Sequence, residues 1–373
     1  METYRLTSKV VHDGKEFFIQ TVNDGDMGTV SSSIHINGKL SEMARYPHPR
    51  EISPEEVLSL VKLKHGEKKQ EIEALLAAFA TTVNGGSAQS MVHLGIAFYY
   101  KGFDEEAAEL FQDASKNDAE DHQAPYYLSM CEIRLGHSES AIKNAKIASD
   151  RRPTWADYHN NLGEAYLSAG ECGKAASEFE EAVRINMYYA DAWFNLGLTL
   201  ITNAILQKES RLFANVISHA SDSINRAVLI YPDYQNLALD EGLAALKESQ
   251  FERSLKLLLS VRDMKRDRAR KEFAPYYMRF VMMGGMVTEE ILGERIGYLQ
   301  SQIRKNPTYV DLHIDLANCL FERSRLFWQE GIEELRQTSL MNPALIKAQL
   351  ALDAAESEYD SLCATLSKIS HKG

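Results

Sequence analysis

The chain has 373 residues, a formal net charge of −12, and a composition of 45% hydrophobic and 25% charged residues. These proportions are typical of a folded protein, and the length suits two or three ordinary domains or one array of repeats. The acidic balance argues against a general nucleic-acid surface, because clustered Lys and Arg dominate phosphate binding.

The sequence predicts neither a membrane span nor a secretory signal. No window approaches about 18 uninterrupted apolar residues, and the N-terminal stretch lacks an apolar segment. The four cysteines, Cys131, Cys172, Cys319 and Cys363, lie far apart without a C-x-x-C spacing. This pattern favours reduced thiols over a disulfide framework or a zinc site. We therefore expect a cytoplasmic protein without membrane insertion.

Residues 1–47 alternate apolar and polar side chains, as half-buried strands do. Short strands are predicted over residues 4–11, 16–22, 29–36 and 40–46, with turns at Asp13-Gly14, Asn23-Asp24-Gly25 and Asn37-Gly38. Asn-Gly and Asp-Gly between apolar runs are strong hairpin signals because both residue types accept positive φ. We expect an antiparallel β-meander of three or four strands that needs a helix to cover its apolar face. The role of this module stays open.

A helix suited to that task follows in residues 48–86. Ser53, Pro54 and Glu56 combine an N-cap, a proline at the first helical position and a capping-box glutamate. Apolar residues then continue at helical spacing to Phe79, with a polar interruption around His65-Gly66. Asn84-Gly85-Gly86 ends this segment as a linker.

From residue 87 onward, small residues recur with a period of 34, marked by Gly102, Gly136 and Gly170. Other positions share the same period. They are Leu94-Gly95, Leu128-Ser129, Leu162-Gly163 and Leu196-Gly197, the alanines Ala107, Ala141 and Ala175, and the aromatic residues Phe111 and Phe179. Self-similarity at this period predicts a stack of helix pairs, since one pair cannot bury its own apolar face.

The pattern resembles the tetratricopeptide repeat family, W-x2-L-G-x2-Y followed by A-x3-F and P. The resemblance implies a mainly α fold, an α-solenoid that winds as a right-handed superhelix of helix pairs, here preceded by the β-meander and its helix. It covers residues 87–343 in about five clear and two degenerate repeats, with an 11-residue insertion in the fourth. Residues 344–373 are predicted to form a C-terminal capping helix and tail.

No catalytic arrangement emerges from the sequence. His12-Asp13 lies in a predicted turn, His48 lies between two prolines, and Gly284-Gly285 lacks the context of a phosphate-binding loop. We expect no enzymatic activity, no cofactor and no metal site.

The first helix of each repeat carries a second stripe of side chains, beside those that face its partner helix. In the family these positions line the concave groove, so the resemblance implies a protein-binding groove. Its members are Val92, Ile96, Tyr99, Tyr126, Met130, Asn160, Asn161, Glu164, Phe194, Asn195 and Leu198. The alternative is that part of this stripe is ordinary core between repeats.

Two asparagines of this stripe share one repeat position. In similar proteins an asparagine there can hold the backbone of an extended peptide, so the resemblance implies this role for Asn161 and Asn195. Co-chaperones of the family that grip a C-terminal carboxylate carry Lys and Asn where this chain has Val92, Ile96, Tyr126 and Asn160. This departure argues against a carboxylate clamp.

A basic segment, Arg262 to Lys271, interrupts an otherwise acidic sequence. One interpretation is a solvated helix end or a connection between repeats. The other is a segment that meets an acidic partner or the protein's own acidic surface.

These observations predict a non-catalytic scaffold or adaptor that binds another protein or an extended peptide in the repeat groove. Two alternatives stay open. The protein could be a self-assembling homo-oligomer that uses its β-module or the ends of the solenoid, since unpaired strand edges are templates for pairing. The groove could also be blocked by the N-terminal module. The sequence does not name the partner.

Overall fold

A computed structural model describes residues 3–372 except residues 13, 50, 208–214, 283–286, 306, 308–309 and 344. The described residues form a four-stranded sheet and fourteen α-helices. They divide into two compact units. Unit 1 comprises Met1–Pro153, Asn161–Ala175 and Arg262–Met286, and unit 2 comprises Thr154–Asn160, Ala176–Val261 and Val287–Gly373.

The four predicted strands form one antiparallel meander, β1 (Arg5–His12), β2 (Lys15–Asp24), β3 (Thr29–Ile36) and β4 (Lys39–Pro47), which confirms the predicted sheet. Asn37 and Gly38 both have positive φ, at 48° and 82°, as a tight hairpin turn requires. The turn predicted at Asn23-Asp24-Gly25 is wrong in position. β2 continues through Asp24, whose carboxylate accepts the backbone N–H groups of Asp26 and Met27, both at 3.1 Å, and so stabilises a later turn.

A single helix, α1 (Pro54–Val83), covers the sheet. Ser53 caps it with the predicted capping box, because its hydroxyl accepts the Glu56 N–H while the Glu56 carboxylate accepts the Ser53 N–H. Its apolar side joins a core with Phe17, Ile19 and Ile34 of the sheet.

The predicted polar interruption at His65-Gly66 lies inside α1 and contacts the sheet. The His65 ring is buried, with Nε2 2.7 Å from the Ser8 hydroxyl and Nδ1 3.1 Å from the Thr21 hydroxyl. Burial, with a smaller contribution from Lys69, lowers the pKa of His65. The interruption therefore marks a polar contact within the module.

Four helix pairs follow, with the lengths expected for the repeats. They are α2 (Ala88–Lys101) with α3 (Asp104–Asn117), α4 (Gln123–Leu135) with α5 (Ser138–Arg151), α6 (Ala156–Ser168) with α7 (Cys172–Ile185), and α8 (Ala190–Leu206) with α9 (Val216–Ile230). Residues 208–214, which include most of the predicted insertion in the fourth pair, lie outside the described part of the chain.

In the first three pairs the glycines of the 34-residue period end the first helix, whereas α8 of the fourth pair ends at Leu206 with Gln207 as its C-cap. Gly102 and Gly136 both have φ of 81°, and Gly170 has φ of 71°. This left-handed conformation closes a helix C-terminus and is open to glycine at little steric cost. The 34-residue spacing of these glycines therefore marks the C-termini of successive first helices.

Gly95 and Gly197, inside α2 and α8, allow close packing within the first and fourth pairs, as predicted. A Cβ atom at Gly95 would lie 2.6 Å from the Phe111 ring, and one at Gly197 would lie 2.6 Å from the Ile224 side chain. Both distances are too short for a real Cβ contact, so a larger residue would displace the facing side chain in these two pairs; the second pair has Ser129 at the same repeat position. A Cβ atom at Gly242, in the predicted fifth repeat, would likewise lie 2.9 Å from the Leu258 side chain.

The helices after α9 vary in length from 11 to 32 residues. A short 3-10 turn (Pro232–Tyr234) leads to α10 (Leu237–Lys247), α11 (Phe251–Met282), α12 (Glu289–Lys305), α13 (Val310–Met341) and α14 (Ile346–Lys372). Helices α11 and α13 have 32 residues each; α11 begins in the predicted fifth repeat, and α13 lies where the sequence predicted degenerate repeats. Gly284-Gly285 lies outside the described residues.

The N-terminal module packs against the first repeat within unit 1. The rings of Phe17 and Phe103 lie 5.6 Å apart, and the Lys15 ammonium lies 2.9 Å from the Glu106 carboxylate. The Ser41 hydroxyl also donates to the Gly102 carbonyl at 3.3 Å. The sheet thus shares its core with α2 and α3.

Candidate protein-binding groove

Most predicted groove positions lie inside the protein. In unit 1, Val92, Ile96, Tyr99 and Asn161 are buried, and in unit 2 Asn160, Phe194, Asn195 and Leu198 are buried. Phe194 and Leu198 belong to the core of unit 2 together with Ile224 and Tyr234. Tyr126, Met130 and Glu164, all of unit 1, are half-buried. These three side chains therefore carry the solvent-accessible part of the stripe.

The two asparagines at the shared repeat position connect neighbouring repeats. The Asn161 amide on α6 donates to the Tyr126 carbonyl on α4 at 3.3 Å, within unit 1. The Asn195 amide on α8 donates to the side-chain oxygen of Asn160 on α6 at 3.0 Å, within unit 2. In this structure these two side-chain amides, which could otherwise bind a peptide backbone, each donate to the first helix of the preceding repeat.

The basic segment lies in the middle of α11 and contacts an acidic side chain of the stripe. The Arg266 guanidinium donates to the Glu164 carboxylate in a hydrogen-bonded ion pair. The second interpretation of this segment, contact with the protein's own acidic surface, therefore applies to Arg266.

Arg270 approaches the end of α2 one helical turn further along α11. A Cβ atom at Gly102 would lie 2.2 Å from its guanidinium nitrogen Nη2, so the glycine leaves room for the arginine. Burial lowers the pKa of Arg270, and the nearby positive charge of Arg134 lowers it further.

Aromatic stacking extends this contact along α11. The ring of Tyr100 stacks on Phe273, with centroids 5.2 Å apart and an interplanar angle of 11°, and on Tyr277, with 5.3 Å and 14°. Met278 is buried in the same core as Phe98 and Leu128. The segment Arg262–Met282 thus packs on the repeat helices of unit 1 through charges at one end and aromatic rings at the other.

Arg134 ties the first two repeats together beneath this surface. Its guanidinium lies 4.3 Å from the centre of the Tyr99 ring, and its Nε donates to the Asp104 carboxylate at 3.0 Å. Burial raises the pKa of the Asp104 carboxyl group, an effect that Arg134 opposes. Burial likewise raises the pKa of the Tyr99 phenol. Arg134 therefore contacts both the Tyr99 ring and the Asp104 carboxylate of the first repeat.

A cavity of about 850 Å³ lies between β4, α1, α2 and α11 in unit 1. Two lysines and two glutamates line one wall. Lys68 Nζ lies 2.9 Å from Glu42 and 2.6 Å from Glu71, and Lys101 Nζ lies 3.2 Å from Glu42 and also pairs with Glu71. We call these four residues the charged quartet.

Both lysines of the charged quartet are buried. Although burial opposes the charge of each group, Lys101 and Lys68 lower the pKa of Glu42, and Glu42 and Glu71 raise the pKa of Lys68. Sequence reasoning missed the quartet. The spacing of Lys68 and Glu71 on one helix was its sole local signal, and such pairs are usually solvated.

The findings on metal sites and membrane-spanning helices apply to the residues that the structure describes. Among them, no group of three or more His, Cys, Asp or Glu side chains is arranged to hold a metal ion. No helix in the described part of the chain combines the length and apolar character needed to cross a membrane. All four cysteines are thiols, and burial raises the pKa of Cys131.

One family model and several solved structures show similarity to this chain. The tetratricopeptide repeat family model matches residues 132–190 and 160–204. Solved structures with similarity include MamA, at 20% identity and a TM-score of 0.34, covering 47% of this chain and 96% of that one. A thermophilic tetratricopeptide repeat protein of Thermus thermophilus has 21% identity and a TM-score of 0.35, covering 63% of this chain and 99% of that one.

A third similar structure is YrrB, described as a tetratricopeptide repeat protein with an unusual peptide-binding site. It has 15% identity and a TM-score of 0.35, covering 54% of this chain and 98% of that one. Because these identities and TM-scores are low, the assignment rests on the family model and on the helix pairs. Residues 132–204 are tetratricopeptide repeats, set in a series of such helix pairs that follows a four-stranded antiparallel sheet.

Proposed function

We propose that this protein is a non-catalytic scaffold or adaptor of the cytoplasm that binds another protein, or an extended peptide of it, along its tetratricopeptide repeats. The observation that carries the proposal is the contact of α11 with the repeat helices of unit 1. A helical segment there is held by an ion pair to Glu164 and by aromatic stacking on Tyr100. A repeat surface that binds one such segment has the chemistry to bind another.

The partner contacts belong to the half-buried part of the stripe. Tyr126 and Met130 lie on α4 and keep part of their surface open to solvent. Aromatic side chains and methionine are enriched at protein interfaces because they offer large contact areas. We therefore assign Tyr126 and Met130, beside Glu164, as the contact points for a partner in unit 1.

The buried members of the stripe support this surface from below. The Asn161 side chain donates a hydrogen bond to the backbone carbonyl of Tyr126 and so holds α6 against α4. Tyr126 is also one of the proposed contact residues. Replacing Asn161 would shift the surface as well as remove an amide, so it is a poor test of binding.

Affinity capture from the native cytoplasm, followed by mass spectrometry, tests the proposal. The test variant is Tyr126→Ala with Met130→Ala. The matched control is Tyr188→Ala with Met187→Ala, which removes the same two residue types at exposed positions before α8. Circular dichroism establishes that all three proteins fold.

We expect a partner that is captured by the wild type and by the control, and that is lost with the test variant. Recovery of the same proteins by all three forms would place binding elsewhere and contradict the assignment.

A further inference from the structure

Helix α13 carries a row of large apolar side chains that are open to solvent. Ile314 is 53% exposed, Phe321 44% and Trp328 38%, at intervals of seven residues. Leu320 is 44% exposed and Phe327 45% exposed, and they form a second row on the same helix. Soluble proteins rarely expose so many large apolar residues together without a partner for them.

Small residues lie between these two rows. At 3.6 residues per turn, Ala317, Ser324 and Gly331 fall in a stripe flanked by the first row on one side and by the second row on the other. The surface is therefore a shallow channel with apolar walls, wide enough at its floor for another helix to approach closely.

Gly331 has no packing partner among the residues that the structure describes. A Cβ atom there would meet none of their atoms within 4 Å, and its φ is not positive. Glycine weakens a helix interior relative to alanine, so a glycine in open space in the middle of a 32-residue helix is unfavourable for the isolated chain. Close approach of a second backbone would give it a role.

We propose that α13 pairs with α13 of a second copy of this chain in an antiparallel, two-fold symmetric contact. In an antiparallel pair, residue numbers increase along one helix in the direction in which they decrease along the other. Placing Phe321 against Ser324 of the second copy therefore also places Ile314 against Gly331 and Trp328 against Ala317 of that copy. One register matches all three large residues with all three small ones.

The pattern selects this occupant and this direction. A parallel pair would place Phe321 on Phe321 and Gly331 on Gly331, and so alternate crowded layers with empty ones. The antiparallel pair gives every layer one large and one small side chain, as close packing requires. It also brings Leu320 of each copy beside Phe327 of the other. Because each copy contributes the same patch, the contact is isologous and closes as a dimer.

The exposed area is adequate for such a contact. At roughly 200 Å² for a full side chain of this size, the five apolar residues expose on the order of 450 Å² per chain. Two copies would bury on the order of 900 Å² from these side chains alone, and their polar neighbours bring the total to the ~1,000 Å² of a specific interface.

Sedimentation velocity of the full chain over a range of concentrations tests the proposal. The variant Gly331→Leu places a side chain where the second copy must approach, yet its Cβ atom meets no described residue of its own chain within 4 Å. The matched control is Gly297→Leu on α12, an exposed helical glycine whose Cβ would also meet no described residue within 4 Å.

We expect a dimer for the wild type and for Gly297→Leu, and a dissociation constant raised at least about tenfold for Gly331→Leu. A wild type that stays monomeric up to its solubility limit would overturn the proposal. Equal dimerisation of all three proteins would overturn it as well.

Cross-linking tests the direction of the pair. Ala317→Cys and Trp328→Cys are made as separate proteins in a background with Cys319→Ser and Cys363→Ser, since the other two cysteines are buried. On oxidation, the mixture should yield a covalent dimer and each protein alone should not. Covalent dimers from each protein alone would show a parallel pair, and no covalent dimer in any sample would exclude this register.

Discussion

Arg266 and Glu164 form a hydrogen-bonded ion pair across 102 residues of sequence. The pair joins α11 to α6 within unit 1, the unit that also contains Tyr126 and Met130. A segment of the chain itself, in α11, therefore packs on the repeat helices of unit 1. In the proposed function, a partner that contacts Glu164 competes with Arg266.

Removing this ion pair should loosen α11. We expect Arg266→Ala to lower the free energy of unfolding by only about 0.5–1 kcal/mol, since Arg266 is partly exposed and such pairs are screened by solvent. Hydrogen exchange of residues 262–282 should accelerate, and partner capture should increase. The control is Lys271→Ala at an exposed position of the same helix. Equal exchange in both variants would mean that the pair does not hold the segment.

Alanine substitutions at Gly102 and Gly136 distinguish the cost of backbone strain from the cost of a packing clash. Both glycines have φ of 81°, so alanine should cost about 1–2 kcal/mol at either position. A Cβ atom at Gly136 meets no atom within 4 Å in the described part of the chain, whereas one at Gly102 displaces Arg270. We therefore expect urea denaturation to show a larger loss of stability for Gly102→Ala than for Gly136→Ala. Equal losses would mean that Arg270 moves aside at no cost.

Breaking the charged quartet should be strongly destabilising. Lys101→Met leaves Glu42 and Glu71 with one buried cation between them, and we expect a loss of about 2–3 kcal/mol, less than for a fully buried pair because Glu42 is partly exposed. The matched control, Lys116→Met, removes an exposed lysine paired with Asp113 and should cost less than about 0.5 kcal/mol. Urea denaturation measures both. Similar losses would show that the quartet contributes no more than a surface pair.

The quartet should also give the stability a defined pH dependence. The pKa of Glu42 is lowered below its ordinary value of 4.5, so its contribution is present above that pH and is lost as the pH falls through the folded-state pKa. The pKa of Lys68 is raised above 10.5, so its contribution is present below that pH and is lost as the pH rises through the folded-state pKa.

The difference in unfolding free energy between wild type and Lys101→Met should therefore be largest between these limits and should shrink in acid. Denaturation curves at a series of pH values measure it. A difference that stays constant down to pH values well below 4.5 would show that Glu42 is not paired as described.

Local sequence signals predicted most of the elements. The capping box at Ser53 and the Asn37-Gly38 turn act through neighbouring residues alone, and both occur as predicted. The turn after β2 was misplaced because the Asp24 carboxylate stabilises a turn further along the chain. The unusual length of α11 was not apparent, since the helical pattern after Val261 has no repeat period to guide it.

The groove was harder to predict than the fold. Spacing placed Phe194 and Leu198 on the second face of a helix, but a second face can line a groove or pack on the next repeat with the same pattern. The charged quartet draws its members from β4, α1 and α2, which no sequence window contains together.

The sequence by itself determined the sheet, its covering helix and the repeated helix pairs, because turns, caps and close helix packing depend on residue types at short and fixed separations. The tertiary structure alone decided which side of each helix stays open, which charges meet, and that α11 lies on the repeats. Those outcomes depend on contacts between residues as distant as Glu164 and Arg266, and the chemistry of either residue is satisfied equally well by water until the fold brings the two together.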